Sequence, residues 1–161
     1  MTTRFVITGN NNRRIAYDVT GSGMPVILLH GGLIHDRSSW HNAGFVERLS
    51  KEFSVIAIDL RGHGDSDAPE RPEDYSAGKL LADVQAVADA CGAGRFILWG
   101  YSFGGTVALQ AASRSERVIA AVIGGSYFGP ILTSENFEAL VSSFERMIAA
   151  KEEGRLDDLR G

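Results

Sequence analysis

The chain has 161 residues, 44% of them hydrophobic and 22% charged, and a formal net charge of −4. That balance excludes a disordered or fibrous chain and fits one globular domain with a sizeable core. The mild acidity speaks against nucleic acid or an anionic membrane as the main partner.

In chain order, RFVI (4–7) and RRIAYD (13–18) predict two strands, and the turn-forming TGNNN between them makes a hairpin. Gly21 and Gly23 then interrupt the pattern. PVILLHG (25–31) is apolar without alternation, as in a strand buried on both faces. Residues 38–52 predict one helix, capped by Ser38 or Ser39, with Trp40, Phe45 and Leu49 on one face. SVIAIDL (54–60) is a second buried strand, and RGHGDSDAPERPED after it is a long polar loop. A helix from Ser76 to Cys91 carries Leu80, Val84, Val87 and Cys91 on one stripe and stops at Gly92. RFILWG predicts a third buried strand, Phe103 to Ser113 a helix, and VIAAVIGG (118–125) a fourth strand from the middle of a sheet. From Ser134, a stripe of Phe137, Leu140, Val141, Phe144, Met147 and Ile148 predicts a last helix, ending at Gly154.

A hairpin followed by alternating strands and helices predicts an α/β fold, a mostly parallel sheet with helices on both faces. Ligands of such sheets bind at the carboxyl ends of the strands. HGG, DLRGHG and GYSFGG all fall there. No segment has membrane-span length, and MTTRFVITGNNNRR lacks a signal-peptide core. Cys91 is the single cysteine, so no internal disulfide is expected and a cytoplasmic location is favoured.

GYSFGG (100–105) is the sharpest functional signal. Bare G-x-S-x-G is weak, since chance supplies roughly 0.2 matches in a chain of this composition. Its setting strengthens it: a buried strand runs through the motif into a helix. A serine nucleophile there occupies a strained turn, and Gly100, Gly104 and Gly105 let strand and helix approach. The helix N-terminus behind Ser102 favours developing negative charge. HGG (30–32) offers backbone N–H groups that can join that of Phe103 in binding an oxyanion. In DLRGHGDSD (59–67), Asp59 and Arg61 are read as fixing the loop through hydrogen bonds and an ion pair, and His63 as a structural residue rather than a base. His35, Asp36 and His41 match no metal-ligand spacing, so no metal or cofactor is expected. Cys91 is read as a small core residue.

HGG, DLRGHGDS and GYSFGG, in this order, resemble the N-terminal part of an α/β-hydrolase. The resemblance runs from the hairpin to VIGGS and is specific to the superfamily, not to a subfamily. It implies residues 1–130 as the N-terminal part of the core and 131–161 as the start of a cap. It implies Ser102 as nucleophile and the N–H groups of Gly32 and Phe103 as the oxyanion hole, with Leu33 the weaker alternative. His30, with Gly31, would hold the oxyanion loop. The implied substrate is a small ester or related acyl compound, with an esterase, lipase, carbon–carbon hydrolase, aminopeptidase or perhydrolase activity. Epoxide hydrolases and dehalogenases of this family carry aspartate at the elbow, so Ser102 argues against those branches.

One departure is large. In this family the acid and histidine of the triad follow the serine, yet His30, His35, His41 and His63 all precede Ser102. Glu116, Glu135 and Asp157 follow it, none at a recognisable strand end. The first expectation is therefore the N-terminal portion of a serine hydrolase, nearly inactive alone. The alternatives are a non-catalytic binding module of the same fold and one chain of a split enzyme. Strand 118–125 would be left as an open edge, predicting self-association or a partner chain.

Overall fold

The computed structural model describes residues 2–9 and 12–126. The predicted helix from Ser134 and the segment 131–161 lie outside the described residues. Six strands form one sheet: β1 (Arg4–Thr8), β2 (Arg13–Thr20), β3 (Met24–Leu29), β4 (Phe53–Ile58), β5 (Phe96–Tyr101) and β6 (Val118–Gly124). Their spatial order is β1-β2-β4-β3-β5-β6. The hairpin β1–β2 is antiparallel and joins β4 antiparallel. β4, β3, β5 and β6 run parallel. This is the mostly parallel α/β sheet with an N-terminal hairpin at one edge.

The apolar runs of the central strands have a direct physical use. Alternate residues point to opposite faces, and both faces are covered. Ile27 and Leu29 of β3, Ile56 and Ile58 of β4, and Phe96 and Leu98 of β5 pack in one core with Leu80, Leu81, Val84 and Val87 of helix α3 (Ala77–Ala90) and Val107, Ala108 and Ala111 of α4 (Phe103–Ala112). Val26 and Leu28, with Val55 and Ala57, face a second core built on Trp40 and Val46. Cys91 packs half-buried against the first core, and burial pushes its thiol pKa up. β6 pairs with β5 alone among the described residues, and Ile119 and Val122 stay exposed. It is therefore an edge of the described sheet, not an interior strand.

The single helix predicted over 38–52 is instead two short ones, α1 (Ser38–Asn42) and α2 (Phe45–Leu49). Gly44 between them has φ of 74°, a left-handed conformation that glycine adopts at little cost. Neither Ser38 nor Ser39 caps α1; the Asp36 carboxylate accepts the Ser38 N–H at 2.8 Å. The break turns Val46, rather than Phe45, into the core and leaves Phe45 against Trp40 and Trp99.

The loop after β4 is not structureless. Pro72–Tyr75 form a 3-10 turn. Ser66 Oγ donates to the Asp59 carbonyl (2.7 Å) and accepts the Ala16 N–H (2.8 Å), stitching the loop to β2.

Candidate active site

Ser102 sits at the turn from β5 into α4, with φ of 51° and ψ of −116°. Those angles are close to the first corner of a type II′ turn, a place glycine normally takes. The turn is held on three sides. The Ser102 N–H donates to the Gly124 carbonyl (2.8 Å) at the end of β6. The Ser126 hydroxyl donates to the Ser102 carbonyl at 2.5 Å. The Gly104 N–H donates to the His30 carbonyl at 3.1 Å, bringing α4 onto the end of β3. Glycine is required for that approach: a Cβ at Gly104 would overlap the Leu29 carbonyl, and one at Gly100 would overlap the Gly104 backbone.

The loop after β3 lies beside this turn. A Cβ placed on Gly31 would be 3.6 Å from the Ser102 Cβ, and one on Gly32 would be 3.5 Å from the Phe103 Cβ. The two proposed oxyanion donors are thus adjacent. Phe103 opens α4, where the first N–H groups have no helical acceptor. Among the described residues, neither the Gly32 nor the Phe103 N–H makes a backbone hydrogen bond. The Leu33 N–H is likewise unbonded, in a residue with φ of 65°, so the weaker alternative stays open.

Both ends of this loop are anchored. His30 is buried; its Nε2 accepts the Leu60 N–H at 3.0 Å and its Nδ1–H donates to the Gly31 carbonyl at 2.5 Å. An imidazole that both accepts and donates is neutral, and burial pushes its pKa below the usual histidine value. At the other end Arg37, only 3% exposed, is ringed by carboxylates. Its backbone N–H donates to Asp59 Oδ1 (2.7 Å), its guanidinium hydrogen-bonds Asp59 and Asp65, and its Nε lies 3.3 Å from Asp18. Three carboxylates, Asp18 of β2, Asp59 just after β4 and Asp65 of the following loop, thus fix where α1 begins.

Arg61 and Asp59 both hold the loop through hydrogen bonds and ion pairs, each with a different partner. Arg61 is buried and makes two 2.6 Å bonds to Asp83 of α3, plus one to the Asp74 carbonyl. Sequence reading gave no role to Arg37, Asp18 or Asp83. Asp83, flanked by the stripe positions Leu80 and Val84, was the available signal: a carboxylate buried with an apolar stripe needs a cation.

Among the described residues no histidine hydrogen-bonds Ser102. His63 packs edge-on against His30 (ring centroids 5.0 Å apart) and its Nδ1 lies 3.2 Å from the Arg61 carbonyl. His41 engages Asp18 through Nε2 at 3.1 Å. His35 Nδ1 lies 3.0 Å from the Gly32 carbonyl. The trio His35, Asp36 and His41 is thereby split among Gly32, Ser38 and Asp18 and does not converge. Among the described residues no base hydrogen-bonds the Ser102 hydroxyl. Next to Ser102 opens a cavity of about 440 Å³, walled by Trp40, Phe45, Trp99 and Tyr101.

A family model for the alpha/beta hydrolase fold matches residues 25–157. The chain belongs to the α/β-hydrolase family. Mouse epoxide hydrolase 4 is 31% identical over 121 residues, 74% of this chain and 33% of that protein. Among solved structures, an esterase from a Rhodococcus species is 36% identical with a TM-score of 0.69, matching 78% of this chain and 46% of its own. A bottromycin epimerase bound to bottromycin A2 is 33% identical with a TM-score of 0.70, matching 80% of this chain and 49% of its own. The chain thus spans about a third of the mouse relative's length and about half of each of these solved chains. No helix among the described residues is long and apolar enough to cross a membrane.

Proposed function

We propose that Ser102 is the nucleophile of a serine hydrolase acting on a small ester or related acyl compound. The observation that carries this is the turn itself. A non-glycine residue held at φ of 51° between β5 and α4 is strain that needs a purpose, and it lifts the hydroxyl off the sheet end beside the helix N-terminus. Ser102 Oγ would attack the acyl carbon while a base takes its proton. The N–H groups of Gly32 and Phe103 would stabilise the tetrahedral oxyanion. Collapse releases the alcohol, carrying that proton, and leaves an acyl-enzyme. Water, deprotonated by the same base, then attacks the acyl carbon; the acyl–Oγ bond breaks, the base returns the proton to Ser102 Oγ, and the acid leaves. His30 and Gly31 position the oxyanion loop, and no cofactor is required.

The base is assigned to the portion of the fold that the relatives contain and this chain does not match. Without it the 161-residue chain keeps only the contribution of the oxyanion hole and substrate binding, a small remnant of full activity. Serine at position 102 separates this chemistry from the epoxide opening named for the mouse relative. A second reading is a binding module or one chain of a split enzyme; the bottromycin epimerase shows only that a similar chain can carry a function not named hydrolysis.

The test is acyl capture from p-nitrophenyl acetate, with and without added imidazole as a surrogate base, mapped by peptide mass spectrometry. Acetyl on the Ser102 peptide is expected, increased by imidazole. Acetylation that spares Ser102 under both conditions rejects the nucleophile assignment.

A further inference from the structure

We infer that the cavity beside Ser102 receives an uncharged aromatic group of the substrate. This inference rests on the nucleophile reading for its catalytic meaning but not for its binding test. Three neighbours of the serine also line the cavity: Gly31, Tyr101 and Gly124. Gly124 accepts the Ser102 N–H and Tyr101 precedes it in the chain. A group attached to an acyl carbon at Ser102 therefore enters directly.

The wall chemistry selects the group. Trp40, Phe45 and Trp99 meet one another edge to face, with ring centroids 5.4, 6.2 and 5.3 Å apart. Such an array is stiff, and a planar ring extends it in the geometry that aromatic quadrupoles prefer. No Asp, Glu, Lys or Arg is among the described lining residues. His30 has both ring nitrogens engaged, and His35 Nδ1 faces the Gly32 carbonyl. A carboxylate or ammonium would lose hydration there and meet no Asp, Glu, Lys or Arg among the described lining residues. At about 440 Å³ the cavity sits in the lower part of the usual ligand-pocket range. That suits a one- or two-ring group better than a long acyl chain.

The two tryptophans of the chain, Trp40 and Trp99, both line this cavity, so their emission reports its occupancy. The experiment titrates the full chain with phenylacetone, an uncharged arylalkyl ketone with no ester bond to hydrolyse, with phenylacetate, and with 2-undecanone. A saturable change is expected for phenylacetone, with affinity at least tenfold weaker for the other two. Phe45→Leu should weaken phenylacetone binding, and Ala43→Phe, which adds bulk at an exposed lining position, should abolish it without removing a core contact. Equal or tighter binding of phenylacetate or 2-undecanone, or full binding by the Ala43→Phe protein, overturns the inference. Acyl capture at Ser102 without phenylacetone binding sinks the pocket assignment alone; phenylacetone binding without acyl capture sinks the nucleophile reading alone.

Discussion

Replacing Ser102 by glycine should make the chain more stable, even though it removes the residue proposed for chemistry. The backbone there has φ of 51° and ψ of −116°. A non-glycine residue in so sparse a region costs about 1–3 kcal/mol. Glycine relieves that strain but adds about 0.5–1 kcal/mol of chain entropy to the unfolded state. The difference leaves Ser102→Gly about 0–2.5 kcal/mol more stable, with a mid-range gain of about 1 kcal/mol. The Ser102 hydroxyl makes no hydrogen bond among the described residues, so its loss subtracts little. Ser102→Ala is the control: it removes the hydroxyl and keeps the Cβ, so it should fall within about 0.5 kcal/mol of the parent. Urea unfolding followed by the emission of Trp40 and Trp99 measures both, at several protein concentrations and with the slope checked for constancy. A glycine variant no more stable than the alanine variant would refute the claim that strain is stored at this φ.

Arg61→Leu should cost about 3–5 kcal/mol in the same assay, because it strands the buried Asp83 carboxylate. The Arg61→Leu/Asp83→Leu double variant should recover part of that loss, and a single-variant cost below about 1 kcal/mol would contradict the pairing. Burial holds His30 neutral, with a folded pKa below its unfolded value of 6.5. Its contribution is complete above that value and lost as pH falls below it, so the parent should lose stability more steeply than His30→Gln between about pH 7 and pH 5. Parallel pH profiles would remove this role. Gly104→Ala should cost about 1–3 kcal/mol through overlap with the Leu29 carbonyl and should depress acyl capture at Ser102; unchanged capture would show that the α4–β3 approach is not required. β6 is proposed as a docking edge for a second copy or a partner strand. Sedimentation velocity should show concentration-dependent association of the parent, weakened by Val122→Lys; a strictly monomeric parent would remove that proposal.

The parallel sheet was legible because β3, β4 and β5 are unbroken apolar runs, and strands buried on both faces have no other pattern available. The elbow was legible because Gly100, Gly104 and Gly105 surround one serine at a strand–helix junction. Helix 38–52 misled for a physical reason: its apolar spacing continues across Gly44, and spacing does not reveal whether a glycine takes a left-handed φ. That Asp59 and Arg61 fix the loop was legible but their partners were not, because their charges are met by Arg37 and Asp83, each 22 positions away. The aromatic cavity was not legible at all. Trp40, Phe45 and Trp99 come from three elements, and only the sheet order brings them together.

The most direct measurement is the rate of fluorophosphonate modification of the 161-residue chain, with the modified peptide identified and imidazole varied. Slow labelling confined to Ser102, accelerated by imidazole and absent in Ser102→Ala, is the expected result for a nucleophile elbow with its oxyanion donors in place and its base elsewhere. No labelling of Ser102 at any imidazole concentration, or equal labelling of the Ser102→Ala chain, would contradict it.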